Sequence, residues 1–469
     1  MISYADACLD PNLFGPWFAG ETWSTWRVLD KALFGDPLTD DERAIFRELC
    51  GHDEPPSSPI SEAWFVMGRR SGKDVKAASI ATYLATIGAE LFNYRDYLTR
   101  GERGVIQLLA VDREQAKIAL NYLRAFFEQP ILSRLVLRET SDGLELTNRL
   151  AIEITTNDQR RVRGRTVIAA VFDEVAFWRS ENSVSPDRDV YAAVKPAMAT
   201  IPTAMLIGIS SPYARKGLLW SKFRKHFSNP GGRVLVAQAP TWRMNPNVPR
   251  DGELITEAFE EDPASAAAEY GAQFRADIED FINREAVEAC ISSGVFERPR
   301  VPGKRYVAFL DPSGGSKDSF TLAIAHAEAS RAVLDVARER KPPFSPEAVV
   351  ADFAETMKQY GITRAVSDRY AGAWPKEAFA RHGITVEQSA KPKSELYGGL
   401  LPRINSGTAD LLDIPRLVSQ LVALERRTSR SGRDTIDHPP GGHDDLCNAV
   451  AGAVDCVGIR KGVSMVDFL

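Results

Sequence analysis

The sequence predicts an α/β chain built on two separate sheets: a mostly parallel one behind a phosphate-binding loop, and a mixed one that gathers carboxylates. Three observations predict it. An apolar run ends in the turn Gly68-Arg69-Arg70-Ser71-Gly72-Lys73 and passes into a helix-compatible stretch. Further on, the run VIAAVF ends in Asp173-Glu174. From Arg305 onward a second strand-rich pattern sets Asp311, Asp368 and the pair Asp444-Asp445 at the ends of apolar segments.

Residues 1–60 read as amphipathic helices closed by the loop HDEPPSSP. Their Trp17, Trp23 and Trp26 either cover a nucleotide base or pack a helical cap, and packing is the simpler reading. From 63 to about 240 strands and helices alternate: VIQLLAVD, EQAKIALNYLRAFFEQ, LAIEITTN, TVIAAVF, then TAMLIGI running into Ser210-Ser211-Pro212. Such alternation argues for parallel pairing, and residues 1–245 form the first expected domain. Residues 246–300 read as a helical linker region, with ITEAFEEDPASAAAEYGAQF as its helix. In 301–469, YVAFL and SFTLAIAHAE flank a Gly/Ser turn as a hairpin, RAVLDVARER follows as a third strand, and SPEAVVADFAETMKQYG is a helix capped by Ser345. TRAVSD and ITVEQSA are further strands, and HDDLCNAVAGAVDCV is the last helix.

The chemistry follows from these positions. A glycine turn before a helix directs N–H groups and the helix dipole at an anion, and Lys73 reaches the terminal phosphates. The full pattern has Gly where Met67 stands and Ser or Thr where Asp74 stands. Alone, the loop is also compatible with a turn bearing a surface lysine. Asp173-Glu174 shifts the balance, because α/β sheets bind ligands beyond the carboxyl ends of their strands. There Asp173 suits Mg2+, and Glu174 suits orienting and deprotonating an attacking water. Ser210 and Ser211 either sense a γ-phosphate or form a simple turn. In the second half, converging carboxylates repel and need divalent cations. Two such ions roughly 4 Å apart activate water and stabilise the leaving oxygen in phosphodiester cleavage, and hard oxygen ligands suit Mg2+ or Mn2+. His438 and His443 read as surface or supporting groups.

Composition narrows the class. At 44% hydrophobic the chain supports a sizeable core, and it lacks a run of about 18 apolar residues, so no membrane span is expected. The start MISYADACLD has no secretory pattern. Five scattered cysteines without a C-x-x-C pair fit reduced thiols better than a zinc site. A net charge of −5 argues against indiscriminate coating of nucleic acid but leaves local basic clusters: Arg160, Arg161, Arg163 and Arg165; Arg215, Lys216, Lys222, Arg224 and Lys225; Arg426, Arg427, Arg430 and Arg433.

In order, TWSTWRVLDKALFG, GRRSGKD, VFDE, GISSP, LDPSGG, SDRYAG and GHDDLCNAVAGA resemble the large terminase subunit of tailed bacteriophages, over nearly the whole chain. The resemblance implies an N-terminal P-loop ATPase with a helical cap and a C-terminal ribonuclease-H-like endonuclease. It implies ATP-driven movement of double-stranded DNA into a procapsid and cutting of concatemeric DNA. Carried over, Gly68, Arg69, Arg70, Ser71, Gly72, Lys73 and Asp74 line the ATP site, with Asp173 on Mg2+, Glu174 as base, and Ser210 and Ser211 coupling hydrolysis to movement. Two Mg2+ or Mn2+ ions fall to Asp311, Asp368 and Asp445, with Asp444 the competing choice. In a ring of subunits Arg163 is the candidate for acting on a neighbour's ATP, Arg161 and Arg165 the alternatives, and Arg69 and Arg70 act in cis. The implied partners are double-stranded DNA, the small terminase subunit and the capsid portal protein. The expected setting is the host cytoplasm, as a ring when docked on the procapsid portal and a monomer when free. Asp74 departs from the usual hydroxyl, although a carboxylate also holds Mg2+ and is favoured at a helix N-terminus. The competing readings are a DNA repair or recombination ATPase–nuclease and a degenerate nucleotide-binding scaffold.

Overall fold

In the computed structural model the chain divides into two compact units, Met1–Ala276 and Asp277–Leu469. The described residues are 2–156, 164–178, 186–230, 232–315, 318–369, 374–428 and 434–458.

The first unit is centred on eight strands: β1 (Glu62–Met67), β2 (Gly104–Ala110), β3 (Val136–Thr140), β4 (Gly143–Leu146), β5 (Leu150–Thr156), β6 (Thr166–Asp173), β7 (Met205–Ser210) and β8 (Val234–Ala239). Their order is β3-β4-β5-β2-β6-β7-β1-β8. All pairs are parallel except β3–β4 and β4–β5. β1, β2 and β7 are buried at every position, the mark of strands covered on both faces. Since β7 lies between β1 and β6, the carboxyl ends of all three adjoin. The N-terminal helices Ser24–Phe34 and Asp40–Cys50 share this core. The second starts at Thr39, whose side chain and that of Glu42 cap each other's backbone N–H. A buried ion pair, Lys76 Nζ to Asp30 Oδ2 at 2.6 Å, ties the first of these helices to the helix after the glycine turn.

The second unit holds β9 (Ile278–Asp280), β10 (Ile291–Ser292), β11 (Tyr306–Asp311), β12 (Phe320–Glu328), β13 (Arg331–Arg340), β14 (Arg364–Ser367), β15 (Thr385–Gln388), β16 (Ala409–Leu412), β17 (Glu425–Thr428) and β18 (Asp434–Asp437). Seven strands run in the order β10-β16-β13-β12-β11-β14-β15, while β18-β17-β9 form a small separate sheet. β11, β12 and β13 are antiparallel, and β14 and β15 continue in parallel beyond β11. This is the ribonuclease-H-like arrangement. Side chains alternate between faces. Ala308, Leu310, Leu322, Ile324 and Val336 share a core with the helix Pro346–Gln359. Phe309, Ala323, Ala325 and Leu334 share another with the last helix, Asp445–Cys456. That helix lies so close to the sheet that a Cβ on Gly452 would stand 2.3 Å from the Phe309 ring.

Several details differ from expectation. The 246–300 stretch falls on both sides of the division between units. Its expected single helix is two, Glu253–Glu261 and Pro263–Glu269, because Pro263 cannot continue the first while Asp262 caps the second. Ser345 stands at the N-cap position without a side-chain capping bond. Among the described residues no helix is long and apolar enough to cross a membrane.

Gly452→Ala is expected to lower the stability of the second unit by about 1–3 kcal/mol, the usual cost of overpacking. Urea unfolding followed by tryptophan fluorescence and circular dichroism measures it.

Candidate active sites

The glycine turn is held open by its own backbone and braced from two sides. Arg70 and Gly72 both have positive φ, 65° and 83°, which turns successive N–H groups toward one concavity. Any side chain at Gly72 would strike the Trp23 ring, 2.6 Å from the position of a Cβ. Trp26 Nε1 donates to the Ser71 carbonyl at 2.7 Å. On the other side Thr241 Oγ1 donates to the Arg69 carbonyl at 2.7 Å and Asn245 Nδ2 to that of Arg70 at 2.9 Å. Arg69 is ion-paired with Glu269 at 3.0 Å.

Lys73 opens the helix Lys73–Ala85 and points its ammonium at Glu174 Oε1, 2.8 Å away, with Asp74 Oδ1 at 3.8 Å. Burial draws the Lys73 pKa down, but Glu174 and Asp74 outweigh it and leave the group raised. Asp173 is buried, and burial together with Asp74 and Glu174 pushes its carboxyl well above the usual range. Burial likewise raises Asp74, against the pull of Lys73. One oxygen of each, Asp74 Oδ1 and Asp173 Oδ1, is buried and has no hydrogen-bond partner among the described residues. Three carboxylates facing one ammonium cannot take up a polyphosphate without a further cation. The orphaned oxygens therefore suit Mg2+. Glu174 Oε2 accepts from Ser210 Oγ at 3.1 Å and from the Ser211 N–H at 3.2 Å, so the end of β7 holds the carboxylate after β6.

In the second unit Leu310 pairs with Ser367, and the Asp368 N–H donates to the Leu310 carbonyl at 2.8 Å, which sets Asp311 and Asp368 side by side. Asn448, one turn into the last helix, donates from Nδ2 to Asp311 Oδ2 at 2.8 Å and to Asp368 Oδ2 at 3.0 Å. Thr321 Oγ1 donates to the Asp445 carbonyl at 2.8 Å and anchors the start of that helix over the sheet. Burial lifts the Asp311 carboxyl well above the usual range; Asn448 opposes the rise and Asp368 and Asp445 add to it. Burial and Asp444 raise Asp445 to about 6. Asp445 Oδ2 is buried without a hydrogen-bond partner among the described residues, again a donor set that suits a hard divalent ion. Asp444 is engaged elsewhere: its Oδ2 accepts from Tyr397 Oη at 2.9 Å and Lys393 Nζ at 3.1 Å.

Comparison with known proteins agrees with the first sheet. The family model described as the N-terminal P-loop domain of the uncharacterized protein MJ0330 matches residues 42–272. The N-terminal half is a P-loop domain. Among solved structures the chain is similar to the HK97 bacteriophage large terminase, with 19% identity, a TM-score of 0.38, and coverage of 85% of this chain and 91% of that one. It is similar to the large terminase of the thermophilic bacteriophage D6E in complex with ADP, with 10% identity, a TM-score of 0.38, and coverage of 85% and 94%. The large terminase nuclease of thermophilic phage G20c with bound magnesium is also similar, with 16% identity, a TM-score of 0.32, and coverage of 36% of this chain and 94% of that one. No curated protein matches in sequence.

The structure thus brings together Lys73, Asp74, Asp173, Glu174, Ser210 and Ser211 at one site, and Asp311, Asp368 and Asp445 at another. Arg163 and Arg161 lie outside the described residues. Arg165 pairs with Glu153 at 2.5 Å just before β6, roughly 25 Å of strand from Asp173. Asn448 is not singled out by the sequence, and Trp26 is read there only as a base-covering or cap-packing aromatic, not as a donor to the glycine turn. For Asn448 a signal existed: it lies three residues after Asp445, on the same helix face.

A raised folded-state value means that folded Asp445 holds its proton more tightly than the unfolded chain does, so the stability it contributes is present below about pH 4 and lost as pH rises through about 6. In EDTA, Asp445→Asn should raise stability at pH 7 by on the order of 1–2 kcal/mol and leave it nearly unchanged at pH 4. Added Mg2+ should narrow the pH 7 difference by stabilising the wild type. Thermal unfolding at both pH values checks this.

Proposed function

We propose that the chain is a DNA-packaging motor and nuclease: its first unit hydrolyses ATP to drive double-stranded DNA into a procapsid, and its second cuts the concatemer. The observation that carries the proposal is the pairing, in one chain, of a phosphate-loop site built on Lys73 and Glu174 with a separate converged carboxylate site on a ribonuclease-H-like sheet. The order of motifs along the chain supports packaging over a repair or recombination role.

In the motor, Mg2+ held by Asp173 and Asp74 would neutralise the phosphate oxygens. Lys73 binds the terminal phosphates, and in doing so leaves Glu174. Glu174 is then free to orient and deprotonate water while Ser210 and Ser211 keep its other oxygen fixed. Because Ser210 ends β7 and Ser211 follows it, a change at Glu174 is passed to that strand. Arg163 of a neighbouring subunit is the candidate for stabilising transition-state charge. In the nuclease, Asp311, Asp368 and Asp445 would hold two divalent ions, whose chemistry would be to supply the nucleophile and stabilise the leaving group. Asn448 fixes the first two carboxylates, and Asp444 supports through Lys393 and Tyr397. Partners would be the small terminase subunit and the portal, with a ring assembled on the procapsid in the host cytoplasm.

Plasmid digestion with Mn2+ and a phosphate-release assay separate the two activities. Asp311→Ala should lose cutting and keep ATP hydrolysis; Lys73→Ala should do the reverse. Glu174→Gln should slow hydrolysis roughly 100-fold or more with nucleotide still bound. Cutting that survives in both Asp311→Ala and Asp368→Ala, or hydrolysis that survives Lys73→Ala, overturns the corresponding assignment.

A further inference from the structure

Asp311 and Asp445 have an acidic neighbour on the same face of the second sheet. Asp311 pairs with Thr321 across β11–β12, and Thr321 pairs with Glu339 across β12–β13. Directly paired positions share a face, so Asp311, Thr321 and Glu339 form a row across three strands. Thr321 in the middle anchors the Asp445 carbonyl, which sets Asp445 above the row. The Glu339 side chain is only 10% exposed. Its Oε2 lies 2.6 Å from Arg416 Nε, but its Oε1 is buried and has no hydrogen-bond partner among the described residues. Asp445 Oδ2 likewise has no hydrogen-bond partner among the described residues, with His443 Nδ1 nearby at 3.8 Å, and the Glu339 charge is one of those acting on Asp445.

A buried carboxylate oxygen without a protein donor is costly, and a bound cation removes that cost. Two orphaned carboxylate oxygens in mutual electrostatic reach are costlier still, unless a cation joins them. Arg416 does not fill that role for Oε1. It sits on the helix Pro415–Ala423, which is held to the last helix by the Cys447 N–H donating to Gln420 Oε1 at 2.9 Å. We infer that Glu339 is a further metal-binding carboxylate of the second site, sharing one divalent ion with Asp445 while Asp311 and Asp368, oriented by Asn448, hold the other. The inference rests on the nuclease reading and adds a ligand to it.

Calorimetric titration of Mn2+ into the full chain tests it, in an Asp173→Asn background that removes a carboxylate of the first site. The background should bind two ions in the second unit, seen as the two lost on adding Asp311→Asn and Asp445→Asn. Adding Glu339→Gln should leave one, or weaken one by roughly tenfold or more. Glu339→Asp should restore part of the loss, and Arg416→Gln should keep both ions. Two ions of unchanged affinity in Glu339→Gln overturn the inference, as does an equal loss in Arg416→Gln, which would make the pair structural. Thermal unfolding in EDTA identifies any variant that does not fold, and Glu339→Asp then carries the test. If the background loses no ion on adding Asp311→Asn and Asp445→Asn, the nuclease reading itself falls.

Discussion

Like charge brought together out of water is the constraint around which both units are built. At the carboxyl end of the first sheet, Asp74, Asp173 and Glu174 face a single ammonium, that of Lys73. In the second, Asp311 and Asp368 share the amide of Asn448, and the charges of Asp445 and Asp444 act on Asp311. Neither set is neutralised from within. Burial and mutual repulsion raise Asp173, Asp311 and Asp445 toward the protonated form. Such an arrangement lowers stability, and it persists where a cation gives the energy back on binding.

The rest of each unit holds those groups in place. The order β6-β7-β1 puts three strand ends side by side, so that Ser210 at the end of the middle one and Ser211 just beyond it reach Glu174 just past β6, and Lys73 reaches it from beyond β1. The glycine turn is gripped by Trp23, Trp26, Thr241 and Asn245. A turn rigid before nucleotide arrives loses little entropy when it binds. In the second unit the close seat of Gly452 on Phe309 brings the last helix down to the sheet, and with it Asp445 and Asn448.

Much of this was legible because it is local. Strands buried on both faces announce themselves as apolar runs, and β1, β2, β6 and β7 do so. The edge pair β3 and β4 was missed, since β3 has no buried residue to give it a pattern. The break at Asp262-Pro263 was written in the proline, yet alanine-rich periodicity on both sides hid it. Asp444 and Asp445 could not be separated by reading, although about 100° of helix rotation sends adjacent side chains to different places. The Asp444 side chain meets Tyr397 and Lys393, while Asp445 is anchored through its carbonyl to Thr321, the strand partner of Asp311.

The amino-acid sequence by itself determined which chemistry was present: a glycine turn with Lys73, acids after strands, and an acidic start to the last helix. These depend on residue type and spacing, which the backbone translates directly into turns, strand ends and helix ends. Only the tertiary structure decided which carboxylates come together and which are held by other side chains. Trp26 on Ser71, Asn448 between Asp311 and Asp368, and Glu339 in register with Thr321 depend on strand order and helix seating. Those are set by packing between residues far apart in the chain, and no local pattern carries them.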